Sequence, residues 1–228
     1  MDTLKTRIFM ADVLPLTVSR QLEAAINKVS KERQEKAARL QTPAARALMV
    51  GAEMLLKKAL SQVYGIDGPL AIKADANGKP ALPDYPEICF NLSHSGHYVV
   101  CGLGPRPVGV DIQKMAAPNL KLARRFFAAA EVDWLLALPA EKQTRGFYDL
   151  WAIKEAYMKY TGKGFKLPMH AFTVTIPGEL STNSGVAIAE NGKSMAVVIK
   201  NYPDLADYVV WAVTERSDFQ EKMDWIGL

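Results

Sequence analysis

The feature that most constrains this chain is an order of elements that is played twice. Residues 3–13 read as a strand. Residues 18–29 follow with helical apolar spacing at Val18, Leu22, Ala25, Ile26 and Val29, and Thr42, Pro43 and Gly65 mark a second helix by its N-cap, first position and stop. Strands at 70–74, 87–92 and 98–103 come next. The order restarts at Val108, where VGVDI is a strand, helical patterns run over 119–138 and 144–161, and strands return near 172–176, 186–190, 194–200 and 208–214. The turn dipeptides Asn77-Gly78 and Asn191-Gly192 lie 114 residues apart, half of the 228-residue chain. The pattern predicts two similar α+β halves, residues 1–106 and 107–228, with a ligand site in the cleft between them.

With 49% hydrophobic and 23% charged residues, the composition is that of a globular protein. No run of about 18 uncharged apolar residues occurs, so no membrane partner is expected. The opening stretch is broken by Asp12 and Pro15 and is unlike a secretory segment, so a cytoplasmic location is expected. The two cysteines, Cys89 and Cys101, lack the spacing and further ligands of a zinc site and read as buried thiols in apolar strands. A net charge of +4 without long basic runs suits a local pocket for an anion, or an acidic protein partner, and gives no nucleic-acid track.

Two phosphate-loop look-alikes fail on context. Residues 102–109, GLGPRPVG, join two strands with no helix after them and read as a hairpin turn. Gly192-Lys193-Ser194 has Ala187 where a P-loop needs its first glycine, and a strand follows it.

The chemistry concentrates in residues 150–160. At about 100° per residue, Leu150, Ile153, Ala156, Tyr157 and Tyr160 form an apolar stripe, and Trp151, Lys154, Glu155, Met158 and Lys159 take the other side. Alone, Glu155 and Lys159 make an ordinary i,i+4 pair. Asp111 ends an apolar strand in which Gly109 permits close approach of another backbone, and it reads equally as a turn former or a metal ligand. Together, Asp111 and Glu155 offer the hard oxygens that suit Mg²⁺ beside phosphate. Asn91 to Gly96, NLSHSG, can donate to phosphate or form a serine-rich turn. Lys31, Arg33, Lys36, Arg39 and Arg46 form a basic cluster that, by itself, reads as a solvated face.

NGKP (77–80), FNLSHSG (90–96), PVGVDIQ (107–113) and FYDLWAIKEAYMKYTGKG (147–164), with RRFFAAAE (124–131) between the last two, resemble the Sfp-type, surfactin-activating class of 4′-phosphopantetheinyl transferases. The resemblance runs from Arg33 through the rest of the chain. It implies a monomer of two halves related by a pseudo-twofold axis, binding coenzyme A in the cleft. It also implies Mg²⁺-dependent transfer of the 4′-phosphopantetheine arm to a serine of an apo acyl or peptidyl carrier protein, releasing adenosine 3′,5′-bisphosphate.

Residue by residue, the resemblance places Asp111 and Glu155 on the metal and Lys154 and Lys159 on the diphosphate. Ser93 and His94 fall on coenzyme contacts, Gly78, Lys79 and Pro80 on the adenine-side loop, and Arg33, Lys36 and Arg46 on the 3′-phosphate cluster. The catalytic set is then Glu155, Lys154 and Lys159, with Glu155 as general base and Glu131 as a weaker assisting carboxylate. Gln113 departs from the acid that many members carry there, and is a third metal ligand only through its amide oxygen or a water. A non-catalytic module that binds coenzyme A or carrier protein is the alternative, and the retained Asp111, Lys154, Glu155 and Lys159 argue against it.

Overall fold

The computed structural model describes residues 5–177, 185–216 and 218–228. The first half runs β1 (Arg7–Asp12), α1 (Ser19–Ile26), α2 (Lys31–Ala38), α3 (Pro43–Tyr64), β2 (Lys73–Ala74), β3 (Pro80–Ala81), β4 (Cys89–Ser95) and β5 (Tyr98–Gly104). The second runs β6 (Val108–Lys114), α4 (Leu120–Phe126), α5 (Ala129–Ala137), α6 (Ala140–Thr161), β7 (Phe172–Thr175), β8 (Ala187–Glu190), β9 (Lys193–Ser194), β10 (Val198–Asn201), β11 (Tyr208–Thr214) and β12 (Asp224–Trp225).

Helix α3 forms where its signals stand. Thr42 accepts the Ala45 N–H at 3.2 Å, Pro43 fills the first helical position, and Gly65 stops the helix at φ 66°.

One sheet has the order β12-β1-β5-β4 and another β10-β11-β6. β6 therefore takes the place of β1, β11 that of β5 and β10 that of β4, while α3 and α6 are each 22 residues long. The central strands open alike, with Tyr98-Val99-Val100 and Tyr208-Val209-Val210. The Asn-Gly dipeptides turn the corresponding pairs β2–β3 and β8–β9, with positive φ at Gly78, Asn191 and Gly192. The expected α+β fold of two similar halves related by a pseudo-twofold axis is borne out.

Strand periodicity sorts the layers. On β1, Phe9 and Ala11 pack in the core that holds α3, while Ile8 and Met10 turn toward Val110 and Ile112 of β6 and Tyr208, Val210 and Ala212 of β11. Val209, Trp211 and Val213 share their core with α6. The order through the molecule is α3, first sheet, second sheet, α6. Asp111, between Val110 and Ile112, consequently faces α6.

Some expectations need correction. Residues 105–107 do not close a hairpin, because β5 and β6 belong to different sheets and the link carries the chain from one to the other. The helical pattern over 119–138 is two helices, broken where Phe127 and Ala128 adopt extended ψ of 156° and 152°. Cys101 is buried as expected, but Cys89 is only half-buried. The start of the first expected strand, residues 3–4, lies outside the described residues.

The chain's end crosses back to the first half. β12 pairs in parallel with β1, Ile226 N donates to Met10 O at 2.9 Å, and Arg7 bonds Asp224.

Candidate functional site

Gly109 sets how close α6 lies to β6. A Cβ there would collide with the Ala156 carbonyl oxygen and the Tyr160 amide, so strand and helix backbones touch, as the sequence led us to expect. Asp111 then projects onto the turn of α6 that carries Glu155 and Lys159. It is 1% exposed. Its Oδ1 accepts from Ser93 Oγ at 2.7 Å and Lys159 Nζ at 2.6 Å, and its Oδ2 from Gln113 Nε2 at 2.8 Å. Since an ionised carboxylate only accepts, Gln113 turns its NH₂ to Asp111 and keeps its amide oxygen for other partners. Lys159 Nζ also donates to Ser93 Oγ at 2.9 Å and Val110 O at 3.2 Å, and stands 4.0 Å from Glu155 Oε2.

Glu155 is the open member of the group. Burial, and then the charge of Asp111, raise its pKa from 4.5 to about 7, opposed by Lys159 and by the Trp151 side chain that hydrogen-bonds to it. Two carboxylates thus share one ammonium, leaving net negative charge at a point that solvent reaches.

His94 stands beside this group. Its ring reaches solvent, yet the surrounding walls displace enough water to lower its pKa, and the positive charges of Lys159 and Arg33 add to that, against Asp111. Arg33 is tethered by its Nε to Glu53 at 3.3 Å, so its charge is held near His94. The other two expected members of the basic cluster serve their own surroundings. Lys36 is exposed and pairs with Glu32 at 2.6 Å, and Arg46 donates to Leu40 O at 2.9 Å.

Lys79 joins the halves. Its Nζ donates to Val108 O at 3.2 Å and Lys159 O at 2.8 Å, while Asp75 Oδ1 accepts from the N–H groups of Asn77 and Lys79, so the 77–80 loop is folded around Gly78 (φ 86°). Desolvation lowers the lysine's pKa. Beside it, Lys79, Pro80, Phe90, Pro107 and Tyr160 line a cavity of about 270 Å³ between the halves.

Lys154 lies apart from the Asp111 group. It is 0% exposed, pairs with Glu131 at 2.7 Å, and donates to Met169 O and Phe172 O, both at 2.8 Å. An ammonium has three protons, and here all three are engaged inside the second half, closed to solvent, with none directed to the Asp111 group. Glu131 accepts the N–H groups of Ala128 at 2.7 Å and Val174 at 2.6 Å through its remaining capacity, and it too stands apart from Glu155.

Residues 107–213 match the 4′-phosphopantetheinyl transferase superfamily, and residues 17–103 match the description "4′-phosphopantetheinyl transferase, N-terminal". The chain is 32% identical to the 4′-phosphopantetheinyl transferase Sfp of Bacillus subtilis over 90% of each chain. It is 34% identical to the ffp transferase of Bacillus subtilis over 87% of this chain and 88% of that one, and 35% identical to psf-1 of Bacillus pumilus over 75% of each. The chain belongs to the 4′-phosphopantetheinyl transferase superfamily.

It is an enzyme of the transferase class, and its two family matches meet at the 105–107 link between the sheets. Asn91 and Ser95, expected within the 91–96 segment as phosphate donors or turn formers, accept the N–H groups of Val110 and Lys114 instead, and the alternation Asn91-x-Ser93-x-Ser95 was the available signal for that. One residue behind the site, which tethers Arg33, escaped sequence reasoning. Glu53, 0% exposed in an otherwise apolar stretch of α3, showed no such signal, because its partner Ser30 lies 23 residues away.

Proposed function

We propose that the enzyme transfers the 4′-phosphopantetheine arm of coenzyme A to a serine hydroxyl of an apo carrier domain. In this reading residues 1–106 meet the 3′-phosphate and adenine side of the coenzyme, and residues 107–228 meet its diphosphate. The supporting observation is the group of Asp111, Glu155 and Lys159, two hard carboxylates and a cation around one solvent-reaching point.

Asp111 and Glu155 fit a divalent cation such as Mg²⁺: among the described residues no third His, Cys, Asp or Glu joins them, which suits an ion that completes its shell with water and substrate phosphate. When bound, the ion neutralises charge on the diphosphate oxygens. Gln113, whose NH₂ bonds Asp111, would join through its amide oxygen or a water. Lys159 supplies fixed positive charge for the equatorial oxygens as they gain electron density.

Glu155 takes the serine proton, because both oxygens of Asp111 are already engaged and Glu155 alone of the pair opens to solvent. The serine oxygen forms its bond to phosphorus as the bond to the adenosine side breaks, and the electron pair leaves with adenosine 3′,5′-bisphosphate. Arg33 and His94 face the 3′-phosphate, and the cavity beside Lys79 and Pro80 receives the adenine side. The enzyme acts as a monomer in the cytoplasm.

Incubation with coenzyme A, Mg²⁺ and a panel of apo carrier domains, followed by intact mass measurement, tests this. A carrier should gain one phosphopantetheine mass. Binding of coenzyme A with every carrier unchanged would instead support a non-catalytic module.

A further inference from the structure

Of the carboxylates described in the first half, Glu53 alone is buried, with 1% of its side chain exposed, and the transfer chemistry does not use it. It stands on α3 against the start of α2 and gathers four donors. Its Oε1 accepts from Ser30 N at 2.7 Å and pairs with Lys57 Nζ at 3.2 Å, and its Oε2 accepts from Ser30 Oγ at 2.8 Å and Arg33 Nε at 3.3 Å. Ser30 is the N-cap of α2, and its Oγ accepts from Arg33 N at 3.3 Å. Arg33 is thus held at both ends, its backbone by Ser30 and its guanidinium by Glu53. Lys57, whose Nζ also donates to Lys28 O at 2.8 Å, offsets the carboxylate's charge.

A guanidinium carries five N–H donors in one plane. Nε gives one to Glu53 and Nη1 one to Met49 Sδ at 2.9 Å, so two bonds fix the plane and three donors remain, on a charge that His94 of β4 feels. A loose arginine would sample many rotamers in the free enzyme and lose them on meeting an anion, whereas a held one has met that entropy cost during folding. We infer that Glu53 is a positioning residue that determines specificity: from behind, it presents the Arg33 guanidinium to the 3′-phosphate and so sets the preference for coenzyme A over dephospho-coenzyme A. This rests on the proposed placement of the 3′-phosphate at Arg33 and His94. Charge alone gives the opposite sign, because Glu53 is an anion near an anion's site, and removing it without loss of order would leave the affinity unchanged or raise it.

The test is calorimetric titration of coenzyme A and of dephospho-coenzyme A into wild type, Arg33→Ala, Glu53→Gln and the double variant. Glu53→Gln should bind coenzyme A about fivefold more weakly, the scale of one long side chain left to be ordered on binding, and dephospho-coenzyme A within about twofold of wild type. In the double variant it should add nothing to the loss caused by Arg33→Ala, since the two act as one unit. A merely structural Glu53 would weaken both ligands alike, and a merely electrostatic one would tighten coenzyme A; either result overturns the inference. A preference lost in Arg33→Ala but kept in Glu53→Gln overturns it too, and leaves the 3′-phosphate placement standing. If wild type does not distinguish the two ligands, or Arg33→Ala keeps the preference, that placement fails and the role of Glu53 with it. Should Glu53→Gln not fold, Glu53→Asp, which keeps the charge and withdraws it from Arg33 by one methylene, reads the same ratio.

Discussion

Lys154 and Lys159 stand five residues apart on α6, carry the same charge, and have opposite fates. Five residues turn a helix by about 140° beyond a full circle, which sends the two ammonium groups to different neighbours. Lys154 meets Glu131 and two carbonyls in a place without water, and its proton count is used up there. Lys159 also gives its three protons away, to Asp111, Ser93 and Val110 O at the edge of β6, yet 27% of its side chain is exposed beside an open Glu155. Residue type, motif position and proton count are the same in kind. What separates a tie from a site is whether the fold leaves the charge facing solvent.

The sharpest way to break the comparison is Lys154→Met. Removing one partner of a buried pair leaves Glu131 uncompensated and should cost about 3–5 kcal/mol of stability. The denaturation midpoint should fall accordingly, while kcat of the folded fraction stays within about threefold of wild type. A folded variant that has lost a hundredfold in kcat would return Lys154 to the site. Asp111→Ala is the reverse case: kcat should drop at least about 100-fold, roughly 2.7 kcal/mol in barrier, with a smaller loss of stability than Lys154→Met because Glu155 remains beside Lys159. Near-normal turnover would remove Asp111 from the chemistry.

Glu53 extends the comparison to the first half, where it holds the Ser30 N–H at 2.7 Å much as Glu131 holds that of Ala128. Burial would raise its pKa, but the two bonds from Ser30 and the ammonium of Lys57 outweigh it and hold the carboxyl below 4.5. A folded pKa below the unfolded one means stabilisation that is complete above about pH 4.5 and is lost as pH falls through the folded value. Glu53→Gln should therefore cost about 1–3 kcal/mol at pH 7, with the gap to wild type closing on acidification; a gap independent of pH in thermal melts would show that the charge of Glu53 is not what holds α2.

The smallest effect belongs to Lys36. Its pair with Glu32 is exposed, so Lys36→Ala should change coenzyme A affinity less than twofold, whereas Arg33→Ala should weaken it about tenfold. Equal losses in the two variants would make the cluster a single unit after all.

Much of the fold is legible in the residues that punctuate it. Thr42, Pro43 and Gly65 bound α3, the two Asn-Gly turns mark corresponding hairpins, and Gly109 announces the contact between β6 and α6, because each acts through its own backbone or its immediate neighbours. The break between α4 and α5 was not legible, since residues 119–138 keep helical spacing across it. Nor was the separation of β5 from β6, two adjacent buried strands joined by a short link that could equally have closed a hairpin.

By itself the sequence determined the two-fold repeat, the family, and the placing of Glu155 and Lys159 on one side of a helix, because periodicity and close spacing act along one element, while the gathering of Asp111 with them was what the family resemblance implied. Only the tertiary structure decided that Lys154 and Glu131 bind each other inside the second half, that Ser93 spends its hydroxyl on Asp111, and that the chain's last strand belongs to the first sheet. Each of these depends on partners far apart in sequence, and a hydrogen-bonding group's role is set by which partners reach it first, a matter of distance in space that local pattern does not encode.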